Sequence, residues 1–201
     1  MDLHDVIRTR RMVHRFDRKR AIPPEVLEQV LESALHAPSA GFSQGVALLV
    51  LDQPDQLENF WRKTVPPSES KHLEELLGIG PPVVVLALAN KQIYLNRYSE
   101  PDKAAAKMQK AEDWPAPYWD IDCGMSVMLM LLTAVDLGLG GWFFGIAHGA
   151  GDLMDDLGVP NDYKPIGAIG LGYKAADDVK AGSSVTRRRR TLAEIEHRGR
   201  W

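Results

Sequence analysis

The chain has 201 residues, 45% hydrophobic and 25% charged, with 17 Gly, 13 Pro and a single Cys; this composition excludes a disordered, collagen-like or disulfide-stapled polypeptide. The net charge of −3 hides two basic ends on an acidic body: residues 1–20 carry seven bases against three acids, and residues 187–201 carry six Arg against two Glu. An acidic body would repel a phosphate backbone, so a nucleic-acid partner is disfavoured and a small anionic ligand gripped by both ends fits better. The lone Cys123 forms no internal disulfide, and the N-terminal stretch lacks an apolar signal core, so a cytoplasmic protein is expected.

The length suits one domain, 1–201. In chain order, a first short helix closes at Arg10-Arg11. Residues 23–36 then place Val26, Leu27, Val30, Leu31, Ala34 and Leu35 at helical spacing behind a Pro whose missing N–H costs nothing at a helix start. Residues 37–45, small and turn-forming, are expected as a loop. Residues 46–51 (VALLVL) and 83–89 (VVVLALA) have the make-up of buried strands, with helix over 55–77 broken at Pro66-Pro67.

Residues 91–117 are polar without a sustained apolar period and read as an excursion or lid. A long helix is expected over 118–137. Its most apolar stretch, 123–135, is thirteen residues, whereas a membrane span needs about 20, so burial in protein is expected and no membrane partner. Being apolar on nearly all sides, this helix needs cover that a second copy would supply. Residues 142–144 begin a third strand, 151–157 a short helix and 165–173 a fourth strand, which makes the order mixed α+β.

Several motifs lack their context. Gly170-Leu171-Gly172-Tyr173-Lys174-Ala175 matches G-x-G-x-x-A, but too little chain follows for a βαβ unit. Ala37-Pro38-Ser39-Ala40-Gly41 resembles a nucleophile elbow, yet it leads from helix to strand, the reverse of an elbow. The six His residues fall in no metal-ligand spacing, and Cys123 has no basic sequence neighbour to activate it, so it reads as a core residue. The run Arg187 to Arg190 lies in an extended stretch where alternate side chains point the same way, so two guanidiniums can face one phosphate.

Five blocks occur in order along the chain: Arg10-Arg11-Met12-Val13-His14-Arg15-Phe16; Ala37 to Gln44; Gly138-Leu139-Gly140-Gly141-Trp142; Pro165-Ile166-Gly167 with Gly170 to Tyr173; and the Arg run before Thr191-Leu192. This ordered series resembles the FMN-dependent nitroreductase family. The resemblance implies an α+β fold with a mixed, mainly antiparallel sheet flanked by helices, and the long central helix at the interface of an intertwined homodimer. It also implies FMN at that interface, NADH or NADPH as electron donor, and a small-molecule acceptor such as a nitroaromatic or quinone. A flavin-sequestering protein with little turnover is the alternative.

Carried over position by position, the resemblance assigns Arg10, Arg11, Met12 and His14 to the FMN phosphate and ribityl chain. Pro38, Ser39, Gly41 and Gln44 fall near the ribityl and ring edge, and Phe143, Phe144 and Gly145 would offer backbone N–H groups to the flavin N5 side. Arg187 and Arg189 form the second phosphate grip, or Arg188 and Arg190 if the register shifts by one. No metal and no catalytic side-chain pair is implied, because hydride chemistry belongs to the flavin. The chain departs from the family pattern at Met12, where a Ser is usual, at His14, where a Lys or Arg is usual, and at Gly45-Val46, where Pro-Trp is usual.

Overall fold

The computed structural model describes residues 1–180 and 182–201. In chain order it contains α1 (Leu3–Thr9), α2 (Pro24–Ser33), β1 (Val46–Leu51), α3 (Pro54–Thr64), α4 (Ser70–Ile79), β2 (Val83–Asn90), α5 (Lys91–Tyr98), α6 (Tyr118–Asp136), β3 (Gly140–Phe144), α7 (Ala150–Asp156), β4 (Tyr163–Gly172) and α8 (Ser183–Thr186). Among the described residues the strands form one sheet in the order β1-β2-β4-β3, every neighbouring pair antiparallel. The parallel component among the described residues is a single bridge, Met12 to Gly141. Pro165 cannot donate to a ladder, and the β2–β4 register shifts where it faces Leu88, which is how a central strand tolerates a proline.

Every residue of β2 is buried, because both faces of the sheet are covered. Val83, Val85, Ala87 and Ala89 join Ile169 and Leu171 in a core with Val30 of α2 and Cys123, Val127 and Met130 of α6. Val84, Leu86 and Leu88 join Phe60 and Trp61 of α3, Leu76 of α4 and Leu153 of α7 on the other face. The strand therefore reads as a continuous apolar run rather than an alternation. α3 begins on a capping box between Gln53 and Gln56, and the Pro66-Pro67 break falls between α3 and α4 as expected.

α6 alone among the described residues has the length and apolarity to cross a membrane, but Cys123, Val127, Met130, Leu131 and Ala134 belong to the core on the sheet. It is not covered all round: Ile121 and Met128 on its other side are 43% and 46% exposed. Residues 91–117 depart from a lid at their start. Asn90 caps α5 by accepting from the Ile93 N–H, and Tyr94 is fully buried, edge-to-face with Trp114 at 6.0 Å. One buried ring in a short polar helix produces no apolar period, so the sequence pattern does not reveal it.

Candidate functional site

After α1 ends at Arg10, residues 12–17 run beside the sheet. Val13 N–H donates to Gly141 O at 3.1 Å, Phe16 bridges Lys174, and Asp17 N–H donates to Tyr173 O at 2.9 Å. The glycine at 140 is required by this docking, since a Cβ there would lie 2.8 Å from Val13 Cγ2. Two adjoining cavities of about 290 and 190 Å³ open along β3. They share His72, Leu76 and Trp142; Trp61, Phe144, Gly145 and His148 line the larger, and His14, Arg15 and Glu75 the smaller.

The walls of this groove are aromatic. Trp142 stacks on Trp61 (centroids 6.1 Å, 18° between planes) and leans on Phe144 at 4.3 Å, and His14 meets the Trp142 ring edge-on at 5.0 Å. A planar ring finds large apolar contact area there. Among the described residues two buried donors lack a partner: Trp61 Nε1, of a ring that lines the larger cavity, and Arg10 Nη1, at the end of α1. Buried groups of this kind are rare and call for an acceptor that the protein itself does not supply.

The structure sorts the expected residues. Arg10 keeps a free donor, and His14 and Gly145 line the groove, as does the Phe144 side chain. Arg11 is engaged within the chain. Its guanidinium is paired with the Asp178 carboxylate and donates to Met12 O at 3.1 Å. The Phe143 N–H likewise has a partner in the chain, donating to Met12 Sδ at 3.4 Å. Met12 thus acts on β3 through its sulfur.

Pro38, Ser39, Gly41 and Gln44 lie at the other edge of the sheet, in the loop that leads into β1. This loop is strained: Gly41, Phe42 and Gln44 have φ of 63°, 56° and 54°, a region that costs a non-glycine residue about 1–3 kcal/mol and persists only where surroundings enforce it. Enforcement is visible. Ala40 N–H donates to Asp122 Oδ2 at 2.9 Å, Gln44 N–H to Ser39 Oγ at 3.0 Å, and Arg97 Nε to Gly41 O at 3.0 Å. Gly45 is dictated by close approach, because a Cβ would sit 2.5 Å from Tyr94 Cε2 and 2.8 Å from Asn90 O. That accounts for a glycine where the family pattern has proline.

The Arg run divides by alternation. Arg188 pairs with Glu194, whose carboxyl is held down at about 2 by that guanidinium, and Arg190 donates to Glu194 O. The Arg187 and Arg189 side chains have no partner among the described residues. Of the two registers, 187 and 189 is the one with free donors. Cys123 is buried, with burial pushing its thiol up to about 12, and it is a core residue.

Sequence reasoning missed Asp122, Arg97, Trp61, His72 and Asp178. Only Asp122 left a signal, as an acid beside the apolar stretch of α6. The others act through contacts distant in sequence.

Residues 7–173 match the sequence model of the nitroreductase family. Among solved structures, the chain is similar to a nitroreductase-like protein from Streptococcus mutans (TM-score 0.74, 19% identity, 98% of this chain and 97% of that one). It is also similar to a nitroreductase with bound FMN from Bacteroides fragilis (0.66, 20%, 98% and 98%) and to a protein from Clostridium acetobutylicum provisionally named an NADH oxidase (0.70, 22%, 98% and 100%). The structural likeness carries the α+β fold, and the sequence match spans most of the length. The chain belongs to the nitroreductase family.

Proposed function

We propose that this chain is an FMN-dependent oxidoreductase that takes reducing equivalents from NADH or NADPH and passes them to a small electrophilic acceptor such as a nitroaromatic or quinone. The observation that carries the reading is the aromatic groove along β3 in a nitroreductase-family chain whose Arg10, at the end of α1, keeps a buried Nη1 without a partner. The donor set fits FMN. Arg10 with Arg187 and Arg189 would hold the phosphate through charge-assisted hydrogen bonds, while Trp142, Phe144 and the backbone at Gly145 would seat the ring. FMN, when bound, supplies the hydride chemistry. The residues of the chain bind, orient and exclude water, and the bound FMN of the Bacteroides fragilis neighbour and the provisional name of the Clostridium acetobutylicum one support the cofactor and the donor.

The working unit in this reading is a homodimer. The 37–44 loop precedes β1 and the groove follows β3, at opposite edges of a four-stranded sheet; three strand spacings separate them by roughly 14 Å. A second copy would bring the loop of one protomer to the groove of the other. Exposed apolar residues support such cover: Ile121 and Met128 on α6, Leu3 and Ile7 on α1, and Val185, Leu192 and Ile195 on the terminal arm. The second reading, a flavin-sequestering protein, is favoured by Met12, whose sulfur occupies the Phe143 N–H.

Purification tests both. The protein is expected to be yellow, to release FMN on heating, and to oxidise NADH or NADPH when a quinone is added; FMN without turnover selects sequestration. A colourless protein that takes up no FMN at micromolar concentration overturns both readings. Light scattering is expected to give twice the 22.4 kDa chain mass, and a stable monomer overturns the shared site.

A further inference from the structure

We infer that Asp178 is a positioning residue that sets the N-terminal half of the phosphate grip, although it bears the same sign of charge as the ligand. The inference rests on the FMN reading above, and Asp178 itself lies beyond residues 7–173, the segment matched by the family.

The side chain of Asp178 is 1% exposed. Its Oδ1 accepts from two consecutive backbone groups, the N–H of His14 and the N–H of Arg15, each at 3.1 Å. Its Oδ2 is paired with Arg11 Nη2, which also donates to the Asp178 backbone carbonyl at 3.3 Å. Asp178 is in turn held by its own N–H, which donates to Ala175 O at 3.1 Å, and Ala175 N–H donates to Arg15 O at 3.0 Å. One carboxylate therefore satisfies three donors of the 11–15 segment, as a buried carboxylate must if it is to stay ionised.

Two consequences follow for the groove. The two amide bonds to Asp178 hold the backbone at 14–15, where the His14 ring meets Trp142. Arg11 is neutralised by its partner, so Arg10 is left as the cation of that pair with a free donor.

Electrostatics and positioning make opposite predictions. If Asp178 acted through its charge, removing it would relieve repulsion of a phosphate and tighten FMN binding. If it acts by position, removal frees the Arg10–His14 segment and releases Arg11, and FMN binding weakens. The experiment is titration of FMN and of riboflavin, followed by flavin fluorescence, with wild type, Asp178→Asn and Asp178→Ala. The Asn variant is nearly isosteric and keeps an oxygen for the two N–H groups while losing the charge pair with Arg11. It decides the matter if the Ala variant fails to fold, as thermal melting would reveal.

For FMN we expect a loss of roughly tenfold or more in Asp178→Ala and a smaller loss in Asp178→Asn, on the scale of one charge-assisted hydrogen bond. Riboflavin, which has no phosphate, is expected to change less than threefold. Unchanged or tighter FMN binding in both variants overturns the inference and leaves the proposed function standing, as does an equal loss for FMN and riboflavin. Wild-type protein that binds no FMN overturns the proposed function and the inference with it.

Discussion

Candidate cofactor residues lie at both edges of the sheet, and at each edge a buried aspartate holds the backbone in a different way. At the β1 edge Asp122, 2% exposed, accepts from the Tyr94 hydroxyl and from Ala40 N–H, both at 2.9 Å, with no cation among its hydrogen-bond partners. Burial and the neighbouring carboxylate push the Tyr94 hydroxyl far above its usual range, so it is a neutral donor at any working pH. At the β3 edge Asp178 is satisfied by two amides and by Arg11. A buried carboxylate needs donors more than it needs a countercharge. Where a countercharge is present, it consumes an arginine that would otherwise face the ligand.

Asp122 separates the edges most sharply. Asp122→Ala would leave the buried Tyr94 hydroxyl and the half-buried Ala40 N–H unpaired, at about 1–3 kcal/mol for a buried donor and less for the other, so a loss of about 3 kcal/mol is expected in urea unfolding, with the strained 39–44 loop released. A loss below about 1 kcal/mol would show that this network does not hold the β1 edge.

The arm tests the other edge by cofactor binding. Arg187→Ala with Arg189→Ala is expected to weaken FMN binding by about 3 kcal/mol, from charge-assisted hydrogen bonds with some compensation. Arg188→Ala with Arg190→Ala removes the same formal charge from residues engaged with Glu194, and a much smaller effect is expected. Equal losses would mean that bulk charge acts.

Smaller effects sharpen the comparison. Gly45→Ala would drive a methyl into Tyr94 and the Asn90 carbonyl and should cost about 2 kcal/mol, within the range for overpacking, whereas Tyr94→Phe, which removes one of the two donors to Asp122, should cost about 1 kcal/mol. The reverse order would place the tightness of this edge in the hydrogen bond rather than in the packing.

Last, Cys123 lies between the edges, its thiol pushed up to about 12 by burial. Its contribution to stability is complete below the unfolded thiol value near 8.5 and is lost as pH rises from there toward 12, because only the unfolded state releases the proton in that window. Native protein at pH 8 should therefore resist a thiol reagent until denaturant is added. Rapid labelling without denaturant would show that the core around α6 opens.

Much of the fold was legible because its signals are local. The apolar run of β2 marks a strand covered on both faces, and the spacing from Val26 to Leu31 marks α2, while Leu35, counted on the same face, lies past its end and is exposed. The proline pair at 66–67 separates two helices because proline removes a donor. The buried role of Tyr94 was not legible, since Ile93, Tyr94 and Leu95 are consecutive and set no helical period in α5. Nor was the exposed side of α6, because Ile121 and Met128 are as apolar as the residues that face the sheet.

For the site, the sequence by itself determined the supply of donors: two basic ends, an ordered series of family blocks and an alternating Arg run. Tertiary structure decided which of those donors remain free. Arg10 and Arg11 are adjacent and identical in type, yet one ends in an unpartnered nitrogen and the other in an ion pair with Asp178, 167 residues away. Arg187 and Arg189 differ from Arg188 and Arg190 only in having no Glu194 beside them. The physical reason is that a donor can be spent only once, and the acceptor that takes it is chosen by folded proximity, which leaves no periodicity or composition in the local sequence to read.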